Sequence, residues 1–250
     1  MSSETIELTS GGSYAGLDLS GVDWAERDLA DAAFTDCTLL DAQLSAMILQ
    51  GAKFTGCRFL RCRFAHADLR EASFERCGFA DPESHSGVDF AFSQLDQARF
   101  AHCDLSFADI DRSNLWGVEF HDCNLRGARF HRADFTRAFG PKVVRAAASF
   151  RDCNLELADL SDAALGGCEL TRCSFREADL TEADLEGADL SGGDFFQALT
   201  AGCKLAGADL RGAELSGLDL NALGSFAGMK ITLAQQHVVL NGLGVEVCPD

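Results

Sequence analysis

Cysteine and histidine are the residues of this sequence whose numbers first suggest chemistry. The chain has 11 cysteines and 6 histidines among 250 residues, enough for metal ligation or a disulfide framework. The spacing of the cysteines argues against both. All of them except Cys248 stand two residues before a leucine or phenylalanine, a position that they share with alanine, serine and valine. We therefore interpret them as small buried apolar side chains in a reducing compartment, and we expect no metal site.

Sequence motifs of catalysis are missing as well. The sequence has no glycine-rich phosphate loop, no HExxH motif and no nucleophile elbow. His121 and Asp122 are adjacent, but both occupy outer positions of the repeat described below, so we assign them no catalytic role. We predict that the protein is not an enzyme and uses no cofactor. The histidines are scattered along the chain: His66, His85, His102, His121, His131 and His237.

A leucine or phenylalanine recurs at almost every fifth position through three runs, at residues 19–79, 90–135 and 150–220. A period of five matches neither a helix nor a strand, whose periods are 3.6 and 2. A chain that turns a corner every five residues would point all of these side chains inward. Four such sides close a coil of about 20 residues, and coils stack about 4.8 Å apart. The sequence thus predicts an all-β solenoid with four sides, a rod of roughly 45 Å.

The residue before each inward side chain is often Asp or Asn, as at Asp68, Asn124 and Asp179. Short polar side chains accept hydrogen bonds from nearby backbone groups at turns. Part of the acidic content is therefore structural.

Two segments interrupt the repeat. Phe79 and Phe90 are eleven residues apart, and Ala80–Val88 has the Pro, Gly and Ser content of an exposed loop. Thr136–Ala147 has three basic residues and no acid. A tolerated insertion would explain such loops, but a basic, apolar segment on an acidic rod favours contact with a partner. The candidate contact residues are Arg137, Phe139, Lys142, Val143, Val144 and Arg145 in the larger loop, and Asp81, Glu83, Ser84 and His85 in the smaller loop.

Beyond Leu220 the repeat ends. Thr232 and Gln235 predict a capping box for a short helix, Leu233–Leu240, with Asn241-Gly242 as its stop, and Gly244–Cys248 is predicted to be a short strand. A solenoid needs its open end covered, and an apolar helix face also suits a two-fold dimer. We divide the chain into an N-terminal extension (1–13), the solenoid (14–220) and a capping and dimerisation segment (221–250). The candidate dimer residues are Leu233, His237, Val238 and Leu240.

Acidic residues outnumber basic ones, 39 to 21, which gives a net charge of −18. Solubility alone could explain this charge, but its distribution is uneven, since residues 150–220 hold 15 acids and 5 bases, a net of −10. Such a surface disfavours nucleic acid as a partner and suits proteins that bind nucleic acid. Two rods joined at their C-terminal ends would span about 90 Å, the length of roughly 27 base pairs. The candidate acidic face consists of Asp159, Asp179, Asp184, Asp189, Asp194, Asp209 and Asp219.

The sequence has no apolar run of about 18 residues, and its first residues do not predict a signal peptide. We therefore expect a cytoplasmic protein without a membrane partner.

The A(D/N)Lxx repeat over residues 14–220 resembles the pentapeptide-repeat family, whose fold is a right-handed quadrilateral β-helix. The order of repeats, loops and capping helix is similar to the quinolone-resistance (Qnr) subgroup, with the mycobacterial MfpA protein as a loop-poor relative. The matching stretches are Ser113–Phe130 and the tail with Leu-Gly-Val near Cys248. The N-terminal extension and the sequence of the larger loop differ from that subgroup.

This resemblance implies a homodimeric DNA mimic that binds DNA gyrase and topoisomerase IV. It implies protection of these enzymes from fluoroquinolones or other poisons, as antibiotic resistance or self-immunity, with both loops in contact with the topoisomerase. The alternative is a generic solenoid scaffold or adaptor for another protein, because fold does not fix function.

Overall fold

The computed structural model describes residues 7–24, 27–81, 83–140, 142–216, 218–246 and 248. Its strands are short, because each side of a coil offers only a few extended residues before the chain turns. They are β1 (Ser13–Ala15), β2 (Ala33–Thr35), β3 (Thr38–Leu40), β4 (Lys53–Thr55), β5 (Arg58–Leu60), β6 (Ser73–Glu75), β7 (Arg99–Ala101), β8 (Val118–His121), β9 (Thr136–Ala138), β10 (Val144–Ala146), β11 (Ala148–Arg151) and β12 (Glu169–Thr171).

One side of the rod is an eight-stranded parallel sheet in the order β1-β2-β4-β6-β7-β8-β11-β12. Its partners are equivalent residues of successive coils, as where Phe34 pairs with Phe54 and Phe54 with Phe74. The β3–β5 pair lies on the next side, and isolated parallel bridges such as that between Asp68 and Gln94 continue the pattern on the other sides. The predicted four-sided β-solenoid is confirmed.

Corners recur every five residues as single residues in the left-handed backbone region. Asp31 (φ 58°), Asp36 (φ 52°), Asp41 (φ 53°) and Ala46 (φ 59°) are four in a row. This conformation costs roughly 1–2 kcal/mol for a residue other than glycine. Backbone hydrogen bonds between coils oppose that cost, since the Asp31 N–H donates to the Gln50 carbonyl at 2.9 Å.

Inward-pointing rings stack from coil to coil inside the rod. The ring centroids of Phe34, Phe54, Phe74, Phe100 and Phe120 are 4.7–5.0 Å apart in succession. That distance equals the spacing between neighbouring strands, so the period of the backbone sets the period of the core. The ten cysteines at the inner position are buried and form no disulfide bonds, as predicted.

Both interruptions leave the ladder in register. Phe74 pairs with Phe100 and Phe120 with Phe150, so six and ten residues are added to the usual 20. The smaller insertion is closed by an antiparallel bridge between Asp81 and Ser86. The larger one is a β-hairpin, in which β9 and β10 pair antiparallel.

The ladder continues past Leu220, where the sequence repeat ends. Ser225 bridges to Lys204 and Lys230 to Asp209, one residue beyond the normal 20-residue step. The backbone ladder thus extends beyond the last leucine of the repeat.

The C-terminal helix begins and ends differently from the prediction. Leu233–Gln235 is a 3₁₀ turn, and α1 spans Gln236–Gly242. The end lies beyond Leu240 because Gly244 (φ 77°) closes the helix: its N–H donates to the Asn241 carbonyl, and the Val245 N–H to that of Leu240. The short strand predicted for Gly244–Cys248 is wrong for its described residues, which form no strand; Val247 lies outside them.

At the other end, the predicted extension 1–13 lies partly outside the described residues. Leu8 is buried in the core, and the Tyr14 ring stacks on Phe34 at 5.2 Å. Over the described ranges, no helix has the length and apolar content needed to cross a bilayer.

Candidate protein-binding surfaces

The β9–β10 hairpin is held against the rod by Trp116. The Arg137 guanidinium lies over the indole at 4.8 Å from the ring centroid, and the Phe139 ring is 5.9 Å from it. At the tip, the Phe139 N–H donates to the Val143 carbonyl at 2.7 Å. Phe139 nevertheless remains 58% exposed and Val144 63% exposed. The hairpin is therefore ordered but presents apolar surface to solvent.

Like charges face each other across this hairpin. Arg137 pairs directly with Arg145 in the strand register, an arrangement that destabilises a strand pair. Arg137, Lys142 and Arg145 are exposed, and no carboxylate of the described residues lies within 4.0 Å of them. Positive charge that is unbalanced within the chain suits an acidic group on a partner.

The smaller loop is built around Asp81. Its carboxylate accepts the Glu83 N–H at 3.0 Å and contacts the Arg61 guanidinium at 3.0 Å. These two contacts hold the pKa of Asp81 below its ordinary value. Asp81 is buried, so among the four predicted contact residues it supports the loop, whereas Glu83, Ser84 and His85 are exposed.

Gly87 closes the smaller loop against the next coil. A Cβ atom at this position would lie 2.3 Å from the Ala108 nitrogen and from the Phe107 carbonyl carbon. The return of the loop therefore requires glycine at this position.

The seven predicted aspartates of the acidic face share one structural task. Each side chain accepts the backbone N–H two residues later, as Asp159 does from Ser161 at 3.0 Å and Asp179 from Thr181 at 2.9 Å. The predicted turn-capping role of these acids is confirmed. Because the residues occupy every fifth position, the structure distributes them over all four sides and does not gather them on one face.

Ion pairs neutralise part of this set. Asp184, Asp194 and Asp209 contact Lys204, Arg176 and Arg211 at 3.8, 2.9 and 2.7 Å. Asp209 is only 9% exposed, and its bond with Arg211 lowers its pKa. These three aspartates therefore contribute little net charge to the surface.

One side of the C-terminal half keeps its charge. Asp159 and Asp179 are bridged on consecutive coils, and the Gly202 N–H donates to the Ala222 carbonyl between the next two coils of the same side. We call the five acidic residues of this side the acidic side: Asp159, Asp162, Asp179, Glu182 and Asp219. Among the described residues, no basic nitrogen lies within 4.0 Å of their carboxylates.

Sequence reasoning missed several of these residues. Asp162 and Glu182 are corner residues that the search for aspartates before a leucine passed over. Trp116 gave no sign that it would contact the hairpin. The signal for the first two was the 20-residue step, which places residues 162 and 182 on neighbouring coils.

The C-terminal end is closed by Gln235. Its amide nitrogen donates to the carbonyls of Leu210 and Ala213, at 2.8 and 2.7 Å, and its amide oxygen accepts the Thr232 N–H at 2.7 Å. This observation confirms the predicted contact between Thr232 and Gln235.

The candidate dimer residues differ in exposure. Leu233 is 86% exposed and His237 is exposed, whereas Val238 and Leu240 are half-buried. A groove of about 560 Å³ lies beside the helix, lined in part by Leu215, Leu218, His237 and Val238. Leu233 is thus the side chain most available to a second copy.

Comparison with known proteins identifies the repeat. The model of pentapeptide repeats matches in 8 copies, at residues 48–79, 86–115, 103–139, 153–192 and 194–222. The chain belongs to the pentapeptide-repeat family.

Within this family the chain is Qnr-like. It is 35% identical over 104 residues to the quinolone resistance pentapeptide repeat protein QnrB96 of Scandinavium goeteborgense, covering 42% of this chain and 49% of that protein. It is also 35% identical over 94 residues to the pentapeptide repeat protein QnrB4 of Escherichia coli, covering 38% and 44%. The chain thus spans about half the length of the curated relatives it matches.

Solved structures match over a longer range. Full-length QnrB1, described as a plasmid-mediated fluoroquinolone resistance protein, superimposes with a TM-score of 0.80 at 29% identity, over 94% of this chain and 100% of QnrB1. A trypsin-treated QnrB1 variant gives 0.78 at 31% identity, over 85% and 99%. The pentapeptide-repeat family and the β-solenoid predicted from the sequence are both confirmed.

Proposed function

We propose that this protein is a non-enzymatic, cytoplasmic DNA mimic that binds DNA gyrase or topoisomerase IV and protects it from quinolone-type poisons. The acidic side is the observation that carries the proposal. Its five carboxylates span three coil steps, about 14 Å, or one charge per roughly 3 Å. One strand of duplex DNA has a phosphate every 3.4 Å. The linear charge density of the acidic side is therefore similar to that of one DNA strand, so a protein surface that binds DNA could bind this rigid rod instead.

The structural match to QnrB1 supports the same proposal, because that protein is described as conferring fluoroquinolone resistance. The hairpin fits a second role. Its unbalanced arginines and exposed Phe139 would contact the topoisomerase outside the DNA-binding surface, because a basic loop cannot imitate phosphate. Dimerisation through Leu233 would double the length of the rod.

A supercoiling assay with gyrase, with and without a fluoroquinolone, tests this function. We expect the protein to restore supercoiling in the presence of the drug, and to inhibit drug-free supercoiling at high concentration by competing with DNA. If neither effect is seen with gyrase or with topoisomerase IV in a decatenation assay, the proposal is wrong and the protein is a scaffold for another partner.

The hairpin can be removed without disturbing the ladder. Deleting Arg137–Ala146 removes the ten added residues and leaves Ala147 at the corner, where its carbonyl already accepts the Gly117 N–H. We expect this variant to fold and to lose protection from the drug.

Deletion of residues 81–86 removes the six residues added at the smaller loop, the other predicted contact segment, and should also reduce protection if both loops contact the topoisomerase. Full protection after the deletion of Arg137–Ala146 would refute the role of the hairpin.

A further inference from the structure

Two imidazoles and a carboxylate meet on the outer surface at the middle of the rod. His102 and Asp122 are corner residues of consecutive coils (φ 55° and 49°), and His121 is the last residue of β8. The Asp122 carboxylate is 3.5 Å from Nδ1 of His102 and 3.5 Å from Nδ1 of His121. Donor atoms of the three side chains all lie within 4.8 Å of one another.

These distances suit a transition-metal ion. Zn²⁺ binds histidine nitrogen at about 2.0–2.1 Å and carboxylate oxygen at about 2.0–2.2 Å, so neighbouring ligands of a tetrahedral ion are about 3.4 Å apart. Imidazole selects zinc and similar ions over Mg²⁺ and Ca²⁺. The three side chains are about half exposed, so an ion can reach them from solvent.

The backbone holds the site in place before any ion binds. The His102 N–H donates to the His121 carbonyl at 2.9 Å, which joins the two coils directly beneath the cluster. Only side-chain rotation is needed to bring the three donors onto one centre.

A further carboxylate lies near the far side of one of the rings. Nε2 of His121, the nitrogen that faces away from Asp122, lies 4.0 Å from the Asp152 carboxylate. Arg172 fixes that carboxylate by two hydrogen bonds, at 2.6 and 2.7 Å. Metal-bound histidines commonly donate their second N–H to a carboxylate, which fixes the tautomer and the direction of the ring.

We propose that His102, His121 and Asp122 form a binding site for a divalent transition-metal ion of the zinc type. The remaining coordination position would be open to water or to a side chain of a partner. This inference is independent of the proposed function. The proposal departs from the expectation of no metal site in this chain, which rested on the spacing of the cysteines. The 20-residue step that brings His102 beside Asp122 did not enter that expectation.

Isothermal titration calorimetry with ZnCl₂ tests the site on the full-length chain. Cys248 is the exposed cysteine, so the titration uses a Cys248→Ser background, in which a surface thiol cannot bind the ion. We expect one equivalent of Zn²⁺ to bind, and the same affinity in a large excess of Mg²⁺.

Single substitutions assign the ligands. His102→Ala and His121→Ala should each weaken Zn²⁺ binding at least tenfold, whereas His131→Ala, a histidine outside the cluster, should leave it unchanged. Zn²⁺ should also raise the melting temperature of the background protein but not that of the two ligand variants. Equal binding by all variants, or displacement by Mg²⁺, would show general attraction to an acidic surface and overturn the proposal, as would the absence of binding.

Discussion

At the scale of single residues, position in the five-residue repeat decides what a side chain does. The cysteine pattern could be interpreted from sequence because small residues alternate with cysteine at the same inner position. The same rule explains why Asp159 and Asp179 accept backbone N–H groups at turns. This structural role does not depend on whether their charge also binds a partner. Ion pairing could not be predicted in this way, because Asp194 and Arg176 lie on neighbouring coils 18 positions apart.

Thiol reactivity follows from this positional rule. Burial raises the pKa of Cys62 and Cys168 to about 11 and that of Cys203 to about 12, and the thiolate is the reactive species. We expect a chromogenic disulfide reagent at pH 8 to modify one thiol, Cys248, in the folded protein and all 11 in denaturant. The Cys248→Ser variant should show no rapid reaction. Several fast-reacting thiols in that variant would mean that the coils open readily.

At the scale of elements, the coils of the solenoid could be predicted from the repeat, whereas the structure of the loops and of the C-terminal helix could be predicted only in part. The smaller loop was predicted from the lost phase, and the larger loop from two repeat positions without an apolar side chain, Gly140 and Arg145. The antiparallel pairing of Arg137 with Arg145 could not be predicted, because the added residues carry no repeat. The helix was predicted from Thr232 and Gln235, whereas its end depends on the left-handed Gly244. The contact of Trp116 with the hairpin is tertiary and leaves no local pattern.

Trp116 should control the order of the hairpin. The stacking of Arg137 and the packing of Phe139 on the indole are together worth about 1–2 kcal/mol. Trp116→Ala should therefore speed tryptic cleavage after Arg137, Lys142 or Arg145 by roughly 5- to 30-fold, if cleavage follows the open population.

Phe92→Ala is the matched control for this experiment, because Phe92 is a half-exposed ring that packs on Arg112 (5.4 Å) and His66 (4.9 Å), and neither residue belongs to the hairpin. Equal cleavage rates in the wild type and the Trp116 variant would show that the hairpin is ordered by its own strand pairing.

At the scale of the whole molecule, a net charge says little until the sides of the rod are known. By net charge, residues 150–220 are the most acidic part of the sequence. In the structure, ion pairs with Arg172, Arg176 and Arg211 neutralise several of those acids. Among the acids outside these ion pairs, five form the acidic side. The stacking of these acids could be predicted from the sequence, because residues 20 apart lie on the same side of the rod. The ion pairs could be identified only in the structure.

We predict that the whole molecule forms a dimer through its C-terminal end. Leu233→Glu should convert a dimer of twice 26.8 kDa into a monomer, because a charge would enter an apolar contact. Light scattering coupled to size-exclusion chromatography measures the mass directly. Val144→Glu, which alters a similarly exposed apolar residue on the hairpin, should leave the mass unchanged. An unaltered mass for the Leu233 variant would move the interface elsewhere.

Charge reversal on the acidic side gives the sharpest test of DNA mimicry. Asp162 and Glu182 are exposed corner residues, and arginine already occupies the same left-handed position at Arg61, Arg112 and Arg172. The double variant D162R/E182R should therefore fold. The control D31R/E71R changes two exposed left-handed corners near the other end of the rod, so both variants move the net charge from −18 to −14.

If a DNA-binding surface of gyrase receives the acidic side, the concentration of D162R/E182R needed to inhibit drug-free supercoiling should rise about tenfold or more, since local charge steers such encounters. The D31R/E71R control should keep nearly normal inhibition. Equal losses in both variants would indicate attraction governed by net charge alone. Undiminished inhibition by D162R/E182R would mean that gyrase does not recognise the rod through these carboxylates.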